Sequence, residues 1–187
     1  VNVEQLGAGF ANPNRKASSN YGIGNDGRIA MYVPEDYRAW TSSSSANDNV
    51  SVTIEVSNSA TGGNWPISNA AWDSLVALCV DICRRNGIEK LTFTGDKTGN
   101  LTMHKMFAAT NCPGPYLGGR FPELAERVTA ELNKSDTAKE PWYIKDGTWA
   151  KAKELGLMDG TRPDANITRA EAAAVAVRLY NKITEGK

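Results

Sequence analysis

The run 69–86 constrains this chain most. It carries Trp72, Leu75, Val76, Cys79 and Ile82 at helical spacing, with Ser68 placed to cap its start and Gly87 to end it. A helix of about five turns with one apolar stripe must bury that stripe against a second layer. Strand patterns stand on both sides of it. Residues 20–24 and 28–33 flank Asn25-Asp26-Gly27, a turn tripeptide that tolerates positive φ, and so read as a β-hairpin. Residues 50–56 alternate as a strand, and a further strand is expected at 90–94. The prediction is an α/β fold, a mixed central β-sheet flanked by helices.

Other elements follow from local signals. Val3, Leu6 and Phe10 share a helical face over 3–11, and Pro13 ends that run. Residues 41–49 are polar and aperiodic, which predicts a loop. Pro122 suits the first turn of a helix running through Leu124, Val128 and Leu132. Polar, aperiodic residues then predict a linker at 134–141, dividing a domain over 1–133 from a small helical module over 142–187. In that module, helices over 149–157 and 168–183 flank the turn 159–164. They are expected to bury Leu155, Ile167, Ala173, Val175 and Leu179 against each other or against the first domain.

Composition narrows the partners. Lys+Arg and Asp+Glu both number 21 in 187 residues, with no basic cluster, so nucleic acid is not an expected partner. No apolar run is long enough for a membrane span, and the first residues show neither the basic nor the apolar part of a signal peptide. The expectation is a chain made in the cytoplasm. Cys79 and Cys83 lie one helical turn apart, where core packing accounts for them, and no structural disulfide is expected, in keeping with a reducing compartment.

Chemistry is concentrated in the segment from His104, the chain's only histidine, to Cys112. An imidazole and a thiolate at this spacing look like two of the three protein ligands of a catalytic zinc, which keeps a fourth position for water. The competing reading is a surface histidine with a small buried cysteine.

Four blocks then resemble a known family when read in order: 17–29, Arg38-Ala39-Trp40, Thr53-Ile54-Glu55-Val56, and 104–115. They are similar to the zinc-dependent N-acetylmuramoyl-L-alanine amidases, and more closely to the type-2 amidase domain of phage endolysins and peptidoglycan-recognition proteins. The resemblance covers about residues 1–133. It implies zinc as cofactor, with His104 and Cys112 as the later pair of metal ligands. The family's first histidine lies on a strand ahead of the first helix, and Val1 falls just after it, so this chain carries only the later pair.

The same resemblance suggests roles for three more residues. Glu55 matches a catalytic glutamate of one branch, able to take a proton from the metal water and return it to the leaving amine. Another branch uses a tyrosine where this chain has Ser19. Thr110 matches a position beside the scissile carbonyl, and Trp40 offers a flat ring to a glycan or peptide groove. Each has a plain alternative: an outward-facing strand glutamate, a loop threonine bonded to backbone, a packing tryptophan.

Residues 149–152 and 159–171 resemble one S-layer-homology repeat, a module that binds cell-wall polymers. The alternative is a stabilising helical hairpin with Thr168 as N-cap and Glu171 completing a capping box. Together the resemblances imply a hydrolase of the amide between N-acetylmuramic acid and L-alanine in bacterial peptidoglycan. It would act at the cell wall as a phage or prophage endolysin, with a secondary wall polymer as a further partner of the tail. Two rival readings are a peptidoglycan-binding protein with an incomplete zinc site and a wall-anchoring protein whose functional part is the tail.

Overall fold

The computed structural model describes residues 1–134, 148–157 and 169–185. Helix α1 (Val3–Ala11) opens on a reciprocal cap. Asn2 Oδ1 accepts from Gln5 N–H, while the Gln5 side chain accepts from Asn2 N–H, so two otherwise orphaned donors are satisfied. Val3 and Leu6 are buried, as their spacing predicts.

Strands β1 (Tyr21–Ile23) and β2 (Ile29–Met31) form the expected hairpin, with Gly27 at φ +83° in its turn. Strand β3 (Ile54–Val56) pairs parallel to β1, so the sheet order is β2-β1-β3 and the sheet is mixed. Gly22 sits at its centre, opposite Ala30 on one side and Glu55 on the other. A Cβ there would lie 2.5 Å from the Tyr32 ring, so the missing side chain is what lets that ring lie over the sheet. The Tyr32 hydroxyl donates to Val3 O at 2.6 Å, fastening α1 to the same face.

The other face carries the core. Helix α3 (Asn69–Arg85) starts at Ser68, whose Oγ accepts from Ala71 N–H, and it buries Trp72, Leu75, Val76, Cys79, Ile82 and Cys83. These side chains meet Ile23, which has no exposed surface, and Ile54 and Val56 of β3. Period-two alternation puts Glu55 on the opposite face from Ile54 and Val56. Helix α5 (Phe121–Asn133) packs against α3 through Phe121, Leu124, Ala125 and Val128. The three cysteines are free thiols, with Cys79 and Cys83 buried in α3.

Two expectations in this part need correction. Residues 90–94 do not form a strand, because side chains satisfy their backbone in place of a neighbouring strand. Thr92 N–H donates to Asn100 Oδ1, Lys90 O accepts from Asn100 Nδ2, and Leu91 exchanges both backbone bonds with Thr129 Oγ1. Within the expected loop 41–49, residues Ser45–Asp48 form a short helix, α2, capped by Ser44 Oγ. A second short helix, α4 (Pro115–Gly119), precedes α5 without a periodic signal of its own.

The described residues divide into two units, Val1–Lys134 and Ser135–Lys187. In the second, α6 (Thr148–Glu154) and α7 (Arg169–Glu185) are helical as expected, and Arg178 Nη1 donates to Leu157 O at 3.0 Å. The expected burial is not found: Leu155, Ala173 and Leu179 are exposed and Val175 is half-buried. No complementary apolar surface covers their stripe among the described residues. The linker at 135–141, Ile167, Thr168 and the turn 159–164 lie outside the described residues.

Candidate active site

A cavity of about 250 Å³ opens between β3 and the segment after residue 100, and Glu55, His104 and Cys112 all line it. Glu55 comes from β3, and His104 and Cys112 from the two ends of one loop.

Glu55 is set by the sheet register. The strand ahead of it is tied down by Asn20, a buried side chain whose Oδ1 accepts from Thr53 N–H at 2.9 Å while its Nδ2 donates to Val33 O. Burial pushes the Glu55 carboxyl above the usual glutamate range, opposed by the charge of Arg15. A carboxyl shifted in this direction suits proton exchange nearer neutral pH than an exposed glutamate does.

His104 begins a turn of 3₁₀ helix, His104–Met106, whose bonds run from Met106 N to Met103 O and from Phe107 N to His104 O. Lys105 N–H donates to Cys112 O at 3.1 Å, which closes the loop and brings the His104 and Cys112 ends together. The Ser43 hydroxyl lies 3.5 Å from His104 Nε2. Ser43 has φ +62°, and its loop is pinned by buried Asp48, which accepts from Thr41 N–H, Ser42 N–H and Ser42 Oγ.

Cys112 is half-buried, and its thiol is pushed up to about 11 by burial and by the Glu55 carboxylate. The carboxyl and the thiol therefore sense each other across the cavity. Thr110 Oγ1 accepts from Cys112 N–H at 3.2 Å, so it supports the cysteine turn, and its own hydroxyl proton stays available to donate.

The remaining expectations divide. Thr110 and Trp40 are not among the side chains lining the cavity, and Trp40 is 54% exposed, beside Arg38. Ser19 is fully buried, with its hydroxyl donated to Tyr21 O, and it cannot reach the cavity. Trp65, Phe107 and Pro113 also line the site and were not singled out from the sequence. The only local signal for Trp65 is its setting in Gly62-Gly63-Asn64-Trp65-Pro66, a turn-rich stretch that says loop without saying site.

An imidazole nitrogen and a cysteine sulfur are donors that zinc accepts, and here a carboxyl stands near them without being needed as a ligand. That donor pair fits the metal. Among the described residues no group of three or more His, Cys, Asp or Glu is placed to hold an ion, while His104 and Cys112 line the same cavity.

No helix among the described residues is long and apolar enough to cross a membrane. No match to the chain was found among curated proteins or among solved structures. One family does match, over residues 3–115, a span that includes β1 to β3 and every cavity residue up to Cys112 and Pro113. By that match, over well more than half its length, the chain belongs to the N-acetylmuramoyl-L-alanine amidase family.

Proposed function

We propose that this protein hydrolyses the amide between the lactyl group of N-acetylmuramic acid and L-alanine in bacterial peptidoglycan. One observation carries the proposal: Glu55, His104 and Cys112 converge on a single cavity within the family-matched span. His104 and Cys112 would hold zinc together with a third donor from outside the described residues. Zinc, when bound, lowers the pKa of a water and polarises a carbonyl. Glu55 takes the proton from the attacking water and passes it to the leaving nitrogen as the C–N bond breaks. The products are a lactyl carboxylate and a free L-alanyl amine. Thr110, outside the cavity lining but bonded to Cys112 N–H, would donate its hydroxyl proton toward the developing oxyanion. Trp40, exposed and outside the cavity, offers a ring to the glycan strand further out.

The domain over 1–133 would carry this chemistry. The module over 142–187 would hold the enzyme to the wall through a secondary polymer, as expected of a phage or prophage endolysin. Support for the tail's role comes from its repeat-like residues and helices α6 and α7. A second reading has its own observation. With only two candidate ligands brought together among the described residues, the groove can serve to bind peptidoglycan without cutting it.

Digestion of purified peptidoglycan with zinc supplied separates the two. Amidase activity releases new L-alanyl amines, and Glu55→Gln lowers that release by about 100-fold or more while metal content stays the same. Walls that bind the parent protein yet release no amines at any zinc concentration support the binding reading.

A further inference from the structure

Trp65 is half-buried, yet it does not belong to the buried core and does not pack against it. Its backbone has φ +52°, a region that a bulky residue rarely occupies, and such conformations persist where the surroundings impose them, often at ligand sites. The surroundings are identifiable. Trp65 N–H donates to Gly62 O, and Asn64 O accepts from Tyr116 N–H of α4, so the turn is tied at both ends.

Gly114, at φ +88°, lies directly against the indole: a Cβ there would sit 2.7 Å from Trp65 Cε3. The ring therefore rests on the backbone two residues after Cys112. Phe107 and Pro113 line the same cavity, so apolar rings and the carboxyl of Glu55 share its lining. The indole of Trp65 lines the cavity and offers a flat face to whatever enters.

We infer that Trp65 is a substrate-positioning residue whose indole stacks on the pyranose ring of the muramoyl group and sets the scissile amide beside Glu55 and Cys112. This rests on the peptidoglycan reading above. A pyranose presents flat faces of C–H bonds that match an indole, whereas an extended stem peptide presents alternating amides that call for hydrogen-bond donors and acceptors instead.

The test uses the whole 187-residue chain with chelator present to prevent turnover. Calorimetry measures binding of N-acetylmuramoyl-L-alanyl-D-isoglutamine and of the sugar-free dipeptide L-alanyl-D-isoglutamine. Trp65→Gly keeps the left-handed backbone without strain and removes only the ring, so the fold is retained. It weakens the sugar-bearing probe by about five- to tenfold and leaves the dipeptide unchanged, and Trp65→Phe recovers most of the loss. Equal weakening of both probes, or no change in either, overturns the assignment of Trp65 to the sugar. A parent protein that binds neither probe overturns the peptidoglycan reading, and this inference with it.

Discussion

Helices α5 and α7 look alike as sequence and differ in fate. Both are amphipathic helices with apolar residues at helical spacing. In Val1–Lys134, α5 buries Phe121, Leu124 and Val128 against α3, with Leu124 at 1% exposure and Val128 at none. In Ser135–Lys187, α7 leaves Val177, Leu179, Tyr180 and Ile183 between 45% and 68% exposed. A stripe stabilises a fold only when a complementary surface covers it. Trp72 and its neighbours on α3 form that surface for α5. Arg120 lies 3.6 Å over the Trp72 ring and is held there by paired bonds to Glu123, which seals the edge of the packing. Nothing comparable is seen around α7 among the described residues.

This contrast is broken or sharpened first by truncating one leucine in each helix. Leu124→Ala opens a cavity where α3 and α5 meet and costs about 2–5 kcal/mol in the unfolding free energy of the first unit. Leu179→Ala changes stability by less than about 0.5 kcal/mol. Urea unfolding followed by circular dichroism checks both. Comparable losses from the two substitutions mean that α7 has a buried partner after all.

A smaller effect separates the site from the core within the first unit. Burial raises the Glu55 carboxyl in the folded state, so the folded protein favours its protonated form. The stabilising contribution is present at acid pH, below the unfolded glutamate value, and is lost as pH rises through the elevated folded value. In metal-free protein, Glu55→Gln therefore raises the melting temperature at pH 7, and the gap closes as pH falls below the ordinary glutamate range. A gap that is constant with pH would falsify the burial argument for Glu55.

The smallest expected effect comes from removing residues 135–187. The first unit has its own core, so its melting temperature should shift by less than about 2 °C. On the proposed function, cleavage of small soluble muropeptides should be unchanged, while cleavage of intact walls falls with loss of the proposed wall tether. A large drop in melting temperature shows that the second unit completes the first, and the comparison between the units then loses its basis.

Local pattern determined a good deal. The cap at Ser68, the hairpin around Asn25-Asp26-Gly27, the alternation through Glu55 and the amphipathic stripes of α3 and α5 were all legible, because capping, turn chemistry and hydrophobic period depend on near neighbours. His104, Cys112 and Glu55 were legible as candidates because their residue types are rare or sit in recognisable blocks, and all three line one cavity. Tertiary structure alone decided the rest. Residues 90–94 read as a strand, but the side chains of Asn100 and of Thr129, 38 residues from Leu91, take up their backbone groups in place of a neighbouring strand. Trp65 gave no periodic signal, since its place in the site comes from a loop pressed onto Gly114, nearly fifty residues away. Whether an apolar stripe becomes a core or an exposed face is settled by what covers it, and the stripe's own sequence does not contain that information.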